Sequence, residues 1–193
     1  MYDPRISHTR GYIPHVDPGE HTQFITFRLF DSMPQAVLEQ WREELSNGLI
    51  TDAGLRKRIE TYLDQNYGNQ WLADNRIASL VQNTLFNLQG ERYRLYAWVI
   101  MPNHAHLLLQ NLVGHSVSAI MQTIKSYTAH EANKILGRTG RFWSKEYFDR
   151  YIRSPRHYRS VVKYIEENPV KAGLCSMPED WKFGSAYFRN EIK

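Results

Sequence analysis

Apolar positions along this chain follow two rhythms, and the changes of rhythm mark its elements. From Gln23 to Phe30, QFITFRLF is rich in β-formers and predicts a first strand, broken at Met33-Pro34. Gln35 to about Tyr67 is charged and helical. QAVLEQWREELSNG closes at an Asn-Gly signal, and TDAGLRKRIETYLDQNYG opens on Thr51 and closes at Gly68. Asp74 can cap a third helix to about Gln89, with Ile77, Leu80, Val81, Thr84, Leu85 and Leu88 on one face and Gly90 as its stop. Tyr93 to Met101, YRLYAWVIM, is a nearly all-apolar run of aromatic and β-branched residues, which predicts a central strand. Pro102-Asn103 turns the chain, and His104 to Asn111 returns antiparallel at hairpin spacing.

Ser116 to Leu136 is the clearest helix, with Val117, Ile120, Met121, Ile124, Thr128 and Ile135 as its core stripe and Gly137 as its stop. GRTGRFWSKEYFDRYIRS holds turn glycines and then a basic-aromatic strand. Ser154-Pro155 starts a final helix, expected to stop at Asn168-Pro169 because the residue before a proline is pushed out of the helical region. Strands separated by helices, with one hairpin of adjacent strands, predict an α+β domain with a mainly antiparallel sheet. The charged helical pair interrupts a strand-helix-strand order. Residues at about 35–70 therefore read as a helical insertion in a single domain spanning 1–193.

Composition narrows the class. A chain of 193 residues can bury a real core, and 42% hydrophobic with 13% aromatic and 23% charged residues describes a globular protein rich in rings. No stretch approaches the roughly 18 uncharged apolar residues of a membrane span. The N-terminal stretch MYDPRISHTRGYIPHVDPGEH lacks the apolar core of a signal peptide. The single Cys175 excludes an internal disulfide framework and a four-cysteine zinc site, and a reducing, cytoplasmic setting is the default expectation. Net charge is only +4, but Met121 to Lys171 holds eleven Lys/Arg against five Asp/Glu. That excess suggests phosphate binding, although a solvated basic surface would look the same.

The chemistry-bearing stretch is MPNHAHLLLQ, Met101 to Gln110. On a strand, residues i and i+2 share a face, so His104 and His106 project together while Ala105, Leu107 and Leu109 pack the other side. Two imidazoles make a metal site only if a third group arrives from elsewhere; otherwise they are an inert hydrogen-bonded pair near a turn. The last helix offers that group. At about 100° per residue, Asn168 and Ser160 lie about 40° to either side of Tyr164 and His157 about 20° away, beside the apolar face of Tyr158, Val161, Val162 and Ile165. If this helix crosses the histidine face, a phenol and an amide oxygen reach one ion together. Tyr127, in KSYTAH beside Lys125, and Tyr151, in DRYIRS, are rival phenols, and His130 and His157 could assist or merely cap.

The ordered motifs YAWVIMPNHAHLLLQ, IKSYTAHEANK, GRFWSKEYFDRYIRS and YIEENPVKAGL resemble the REP-associated tyrosine transposases, which belong to the single-tyrosine HUH (IS200-like) transposases. The resemblance runs from roughly Thr22 to Tyr187, interrupted by the insertion. It implies a ferredoxin-like core and a metal-dependent single-strand DNA endonuclease and strand transferase. His104 and His106 match the family's paired metal ligands, Tyr164 the nucleophile of its Y-x-x-x-N-P motif, and Asn168 a third polar ligand on the same helix. Ala105 is often bulkier in relatives but stays apolar, whereas the insertion is a larger departure that bears on substrate geometry. Mg²⁺ or Mn²⁺ would act as Lewis acid on the scissile phosphate, and attack by the phenol would leave a 5′-phosphotyrosine link.

Binding is expected from rings interleaved with cations: Lys125, Arg141, Trp143, Lys145, Arg150, Arg153, Arg156, Arg159 and Lys163, with phosphates tracked by charge and unpaired bases stacked on rings. Trp98, in an apolar strand, is assigned to the core. The partner that the resemblance implies is single-stranded DNA with a hairpin, such as a repetitive extragenic palindrome, bound by a monomer or a homodimer with no membrane involved. Two other classes stay open: a non-catalytic nucleic-acid-binding protein that kept the fold, and a metal-dependent hydrolase with a water nucleophile. The hydrolase would leave no covalent protein–DNA adduct.

Overall fold

The computed structural model describes residues 7–9, 14–16 and 21–191; most of the polar N-terminal stretch read for a signal peptide lies outside them. Two short strands, β1 (Ser7–Thr9) and β2 (Pro14–Val16), pair antiparallel. Then come β3 (Thr22–Leu29), α1 (Gln35–Ser46), α2 (Asp52–Leu63), α3 (Asn75–Leu88), β4 (Tyr93–Ile100), β5 (His104–Asn111), α4 (Val117–Ile135), β6 (Trp143–Tyr151), α5 (Pro155–Lys171) and α6 (Ser185–Glu191). Four strands form an antiparallel sheet in the order β4-β5-β3-β6. With α3 and α4 as crossovers, this is the β-α-β-β-α-β order of a ferredoxin-like core, and α1 and α2 interrupt it between β3 and α3.

Local chemistry sets the helix starts. Thr51, Asp74, Ser116 and Ser154 each accept a backbone N–H from the first turn of α2, α3, α4 and α5, satisfying donors that a helix leaves without partners. The end of α5 departs from expectation. It runs through Pro169 to Lys171, and Gly173 at φ +71° closes it. Pro169 forfeits one backbone bond, yet Ala172 N–H still reaches the Asn168 carbonyl at 3.0 Å and Leu174 N–H the Pro169 carbonyl at 2.9 Å. Asn168 and Pro169 are both buried, so packing outweighs the local preference against a helical residue before proline.

The sheet is apolar on both faces. Ile25, Phe27, Trp98, Ile100, Ala105, Leu107 and Leu109 pack with Ile77, Val81 and Leu85 of α3 and Ile120, Met121 and Ile124 of α4. On the other face Phe24, Ala97, Val99 and Leu108 meet Val161 and Ile165 of α5. The inserted helices have a small core of Met33, Leu38, Leu55, Ile59 and Leu63, closed by Phe148 of β6. Phe148 pairs with Thr26, itself opposite His106, so the insertion docks on the histidine face. No helix among the described residues is long and apolar enough to cross a membrane.

Candidate active site

Register places the two histidines before any question of chemistry. His106 sits opposite Thr26 on β3 and Val99 on β4, and His104 opposite Arg28. Both rings are fully buried, with their Nε2 atoms 3.1 Å apart. Their far nitrogens are tied down: His104 Nδ1 lies 2.6 Å from Asn103 Oδ1, and His106 Nδ1 2.8 Å from Thr26 Oγ1. Asn103 Nδ2 donates to the Tyr67 carbonyl at 2.9 Å, which fixes the amide so that its oxygen faces His104. An amide oxygen only accepts, so His104 carries its proton on Nδ1 and turns the Nε2 lone pair inward. Burial pushes His104 down to about 3 and holds His106 well below the usual imidazole range, so both are neutral, as a ligand must be.

A carboxylate completes the pair. Asp64, just past the end of α2, brings Oδ1 to 3.7 Å from His104 Nε2, and the three ligand atoms lie within 4.8 Å of one another. Asn168 donates Nδ2–H to Asp64 Oδ1 at 3.2 Å, leaving its own Oδ1 buried and without a partner among the described residues. Two facing ring nitrogens, a carboxylate and an orphaned amide oxygen form a donor set that a divalent cation satisfies. Asp64 adds a negative charge that a set of two imidazoles and one amide would lack. Burial raises its carboxyl above the ordinary range, which a bound cation would reverse.

Tyr164 joins this cluster from α5. Its ring lies 5.3 Å from that of His106 and edge-on to Phe24 at 5.9 Å, while Phe24 stacks on His106 at 5.3 Å. Its hydroxyl is buried beside the Asp64 carboxylate and the Asn168 amide, in neither case with the distance and angle of an ordinary hydrogen bond. Burial, then the charges of Glu60 and Asp64, raise the phenol well above its usual range. Tyr164 opens on a cavity of about 440 Å³ whose other walls are Ala53, Arg56, Lys57, Glu60, Thr61 and Asp64 from the insertion and Arg150 from β6.

The other sequence-predicted residues divide. Arg150 reaches the cluster, its guanidinium 4.9 Å above the Phe24 ring. Arg141, Lys145, Arg153, Arg156, Arg159 and Lys163 are exposed, Lys163 beside Glu167 at 3.5 Å. Lys125 is half-buried and donates to the Lys145 carbonyl at 2.7 Å, with burial lowering it to about 8. Trp143 is corrected from stacking platform to core. Only 4% of it is exposed, it packs on Phe27 and Phe142, and its indole N–H donates to Thr128 at 2.9 Å. Trp98 is likewise core and donates to Gln82.

Tyr127 is exposed on α4, across the sheet from the histidines, and Tyr151 pairs with Gln23, on the Ile25 side of β3. His157 Nδ1 accepts the Arg153 N–H at 3.3 Å, a cap, and His130 is exposed beside Glu131. Sequence reading missed Asp64, Glu60, Asn103, Thr26 and Phe24. The one local signal was Glu60 and Asp64 four apart, on one face of a helix.

The family described as "Transposase IS200 like" matches residues 63–168, from the end of α2 through Asn168. Over 108 residues the chain is 26% identical to the REP-associated tyrosine transposase of Escherichia coli (strain K12), a match covering 55% of this chain and 62% of that protein. The matched part thus spans about three-fifths of the relative's length. A solved structure of a REP-associated tyrosine transposase bound to a REP hairpin superposes with a TM-score of 0.59 at 20% identity, covering 96% of this chain and 85% of that one, and it shares the fold. Since the family match takes in more than half of the residues, and both histidines, Tyr164 and Asn168 with them, the chain belongs to the IS200-like transposase family.

Proposed function

We propose that the chain is a metal-dependent single-stranded DNA endonuclease and strand transferase acting through a 5′-phosphotyrosine link at Tyr164. The observation that carries this reading is the apposition of the Tyr164 and His106 rings at 5.3 Å, with Asp64 and Asn168 beside them. His104, His106, Asp64 and Asn168 would hold Mg²⁺ or Mn²⁺, which when bound supplies Lewis-acid polarisation of the scissile phosphate. The phenolic oxygen of Tyr164 forms the new bond to phosphorus and the bond to the 3′ oxygen breaks. The phenolic proton ends on that oxygen, giving a free 3′-hydroxyl. The ester energy stays in the phosphotyrosine, so a 3′-hydroxyl from another end can reverse the step and join strands. Phe24 and His106 fix the ring from two sides, which limits the freedom lost on reaching the attacking geometry.

The substrate is single-stranded DNA next to a hairpin, by likeness to the REP-associated relative and by the exposed Arg153, Arg156 and Arg159 leading into α5. Tyr164 and the histidines meet within one chain, which supports cleavage in cis, by a monomer or by each half of a homodimer. The lone Cys175 fits a cytoplasmic setting.

The test is a denaturing gel after incubation with labelled hairpin-bearing single-stranded DNA and Mn²⁺. The expected result is a covalent protein–DNA band that Tyr164→Phe abolishes while binding survives. An undiminished band in that variant would remove Tyr164 from the reaction. A second reading has one observation behind it: Asp64, His104 and His106 also suit a hydrolase with a water nucleophile. It predicts cut DNA without the covalent band, and a binding-only protein predicts neither.

A further inference from the structure

We propose that helix α2 of the insertion is the bed for the strand next to the attacked phosphate, with Arg56 and Lys57 on its backbone phosphates and a flanking base lodged beside Tyr62. This rests on the strand-transfer reading and says where the substrate lies.

Three observations carry it. The first is the stripe that α2 turns to the nucleophile. Ala53, Arg56, Lys57, Glu60 and Thr61 recur at helical spacing, continue to Asp64, and wall the cavity on which Tyr164 opens. Leu55, Ile59 and Leu63, the other stripe, are buried in the insertion's own core, so this orientation is fixed by packing.

The second is charge. Arg56 and Lys57 stand on α2 in the same stripe as Glu60 and Asp64, and Arg150 joins the cavity wall from β6. Glu60 is half-buried, with Arg150 and Arg56 as its neighbouring cations, whereas Lys57 is exposed and makes no ion pair among the described residues. A divalent cation at Asp64 would offset that carboxylate and leave the wall facing the strand with an excess of positive charge.

The third is continuity. A second cavity, of about 750 Å³, shares Lys57 and Thr61 with the first and is bounded by Trp41, Leu49, Ile50 and Tyr62. Leu49 is 72% exposed, an apolar side chain in the open beside two rings and the Arg58 guanidinium. An unpaired base has the flat apolar face such a groove accepts, and its phosphate has the charge that Lys57 meets at the rim. A strand leaving Tyr164 over α2 satisfies both cavities at once.

The experiment uses the full chain carrying Tyr164→Phe, to prevent turnover, in Mn²⁺ with a short fluorescein-labelled oligothymidylate, read by anisotropy across a salt series. Arg56→Ala with Lys57→Ala should flatten the slope of log affinity against log salt by about 1.4, about 0.7 for each phosphate no longer neutralised. Tyr62→Ala should weaken binding and leave the slope unchanged, because stacking carries no charge. A double variant with the parent's slope and affinity overturns the proposal. Lys134→Ala, on α4 across the sheet, serves as the control that keeps the parent slope, and Mn²⁺ affinity by calorimetry verifies the fold of each variant. Absence of a covalent adduct with Tyr164 intact sinks the strand-transfer reading, whereas an adduct together with an unchanged slope sinks only the role of α2.

Discussion

Asn168 donates its amide N–H to the Asp64 carboxylate at 3.2 Å, joining the tyrosine helix to the insertion across 104 positions of chain. The bond orients both ends of the amide. With the N–H taken by Asp64, the oxygen is the free end, buried and available to a cation. Asp64→Asn keeps the shape but removes the charge. Mn²⁺ affinity by titration calorimetry should then fall by more than the roughly 10–100-fold that loss of an outer partner costs. Unchanged affinity would leave Asp64 outside the ligand set.

Asn103 works one step further out. Asn103→Ala leaves the His104 Nδ1–H without an acceptor and frees the imidazole to change tautomer. Mn²⁺ affinity should drop about 10–100-fold. The buried donor left unpaired should cost about 1–3 kcal/mol of stability in urea unfolding. Stability loss without a loss of Mn²⁺ affinity would show that the tautomer is held by something else.

Gly68 sets the carbonyl on which that network ends. It sits at φ +80°, and a Cβ there would come within 2.5 Å of the Asp31 carbonyl oxygen and 2.9 Å of Ser32 Cα, both backbone atoms. Gly68→Ala should destabilise the chain by about 1–3 kcal/mol, seen as a lower urea midpoint. A midpoint equal to the parent's would mean that the Tyr67–Gly68 turn can move at little cost.

The histidines set a pH dependence. Their folded-state values lie below the ordinary 6.5, His104 at about 3, so the unfolded chain takes up protons that the folded chain refuses. The stability they contribute is complete above about pH 6.5 and is lost as pH falls, by at most about 1.4 kcal/mol per pH unit for each histidine. Asp64 and Glu60, with raised values, act in the opposite sense, so the histidine contribution over the window of about pH 6.5 to 5 is read as the difference between the parent and a histidine variant. The parent's urea midpoint should fall across that window relative to that of His106→Gln. A relative rise instead would contradict neutral, buried imidazoles.

Trp143 separates core from interface. Trp143→Phe removes the bond to Thr128 and leaves a gap against Phe27, a loss of about 1–3 kcal/mol in stability. Single-strand DNA affinity of the folded variant should match the parent's by anisotropy. A selective loss of affinity with stability intact would return the ring to the interface.

Local signals carried most of the fold. The apolar run from Tyr93, the hairpin at Pro102-Asn103 and the caps at Asp74, Ser116 and Ser154 are written within a few residues of where they act, and each of those elements begins within a residue or two of its expected start. The failure at Pro169 has the same origin in reverse. The rule against a helical residue before proline is local, and burial of Asn168 and Pro169 overrode it. Trp143 was misread because an aromatic among cations looks alike whether it faces a base or Thr128.

The sequence by itself determined the alternation that puts His104 and His106 on one face, the stripe that carries Tyr164 with Asn168, and the existence of an inserted helical pair. These follow from the repeat distances of strand and helix, which act between near neighbours. Only the tertiary structure decided that Asp64 completes the cluster, that Asn103 sets a tautomer through the Tyr67 carbonyl, and that α2 walls the nucleophile's cavity. Those interactions join residues separated by tens of positions, and no periodicity links them. They exist because the insertion buries its own apolar stripe against Phe148 on the histidine face.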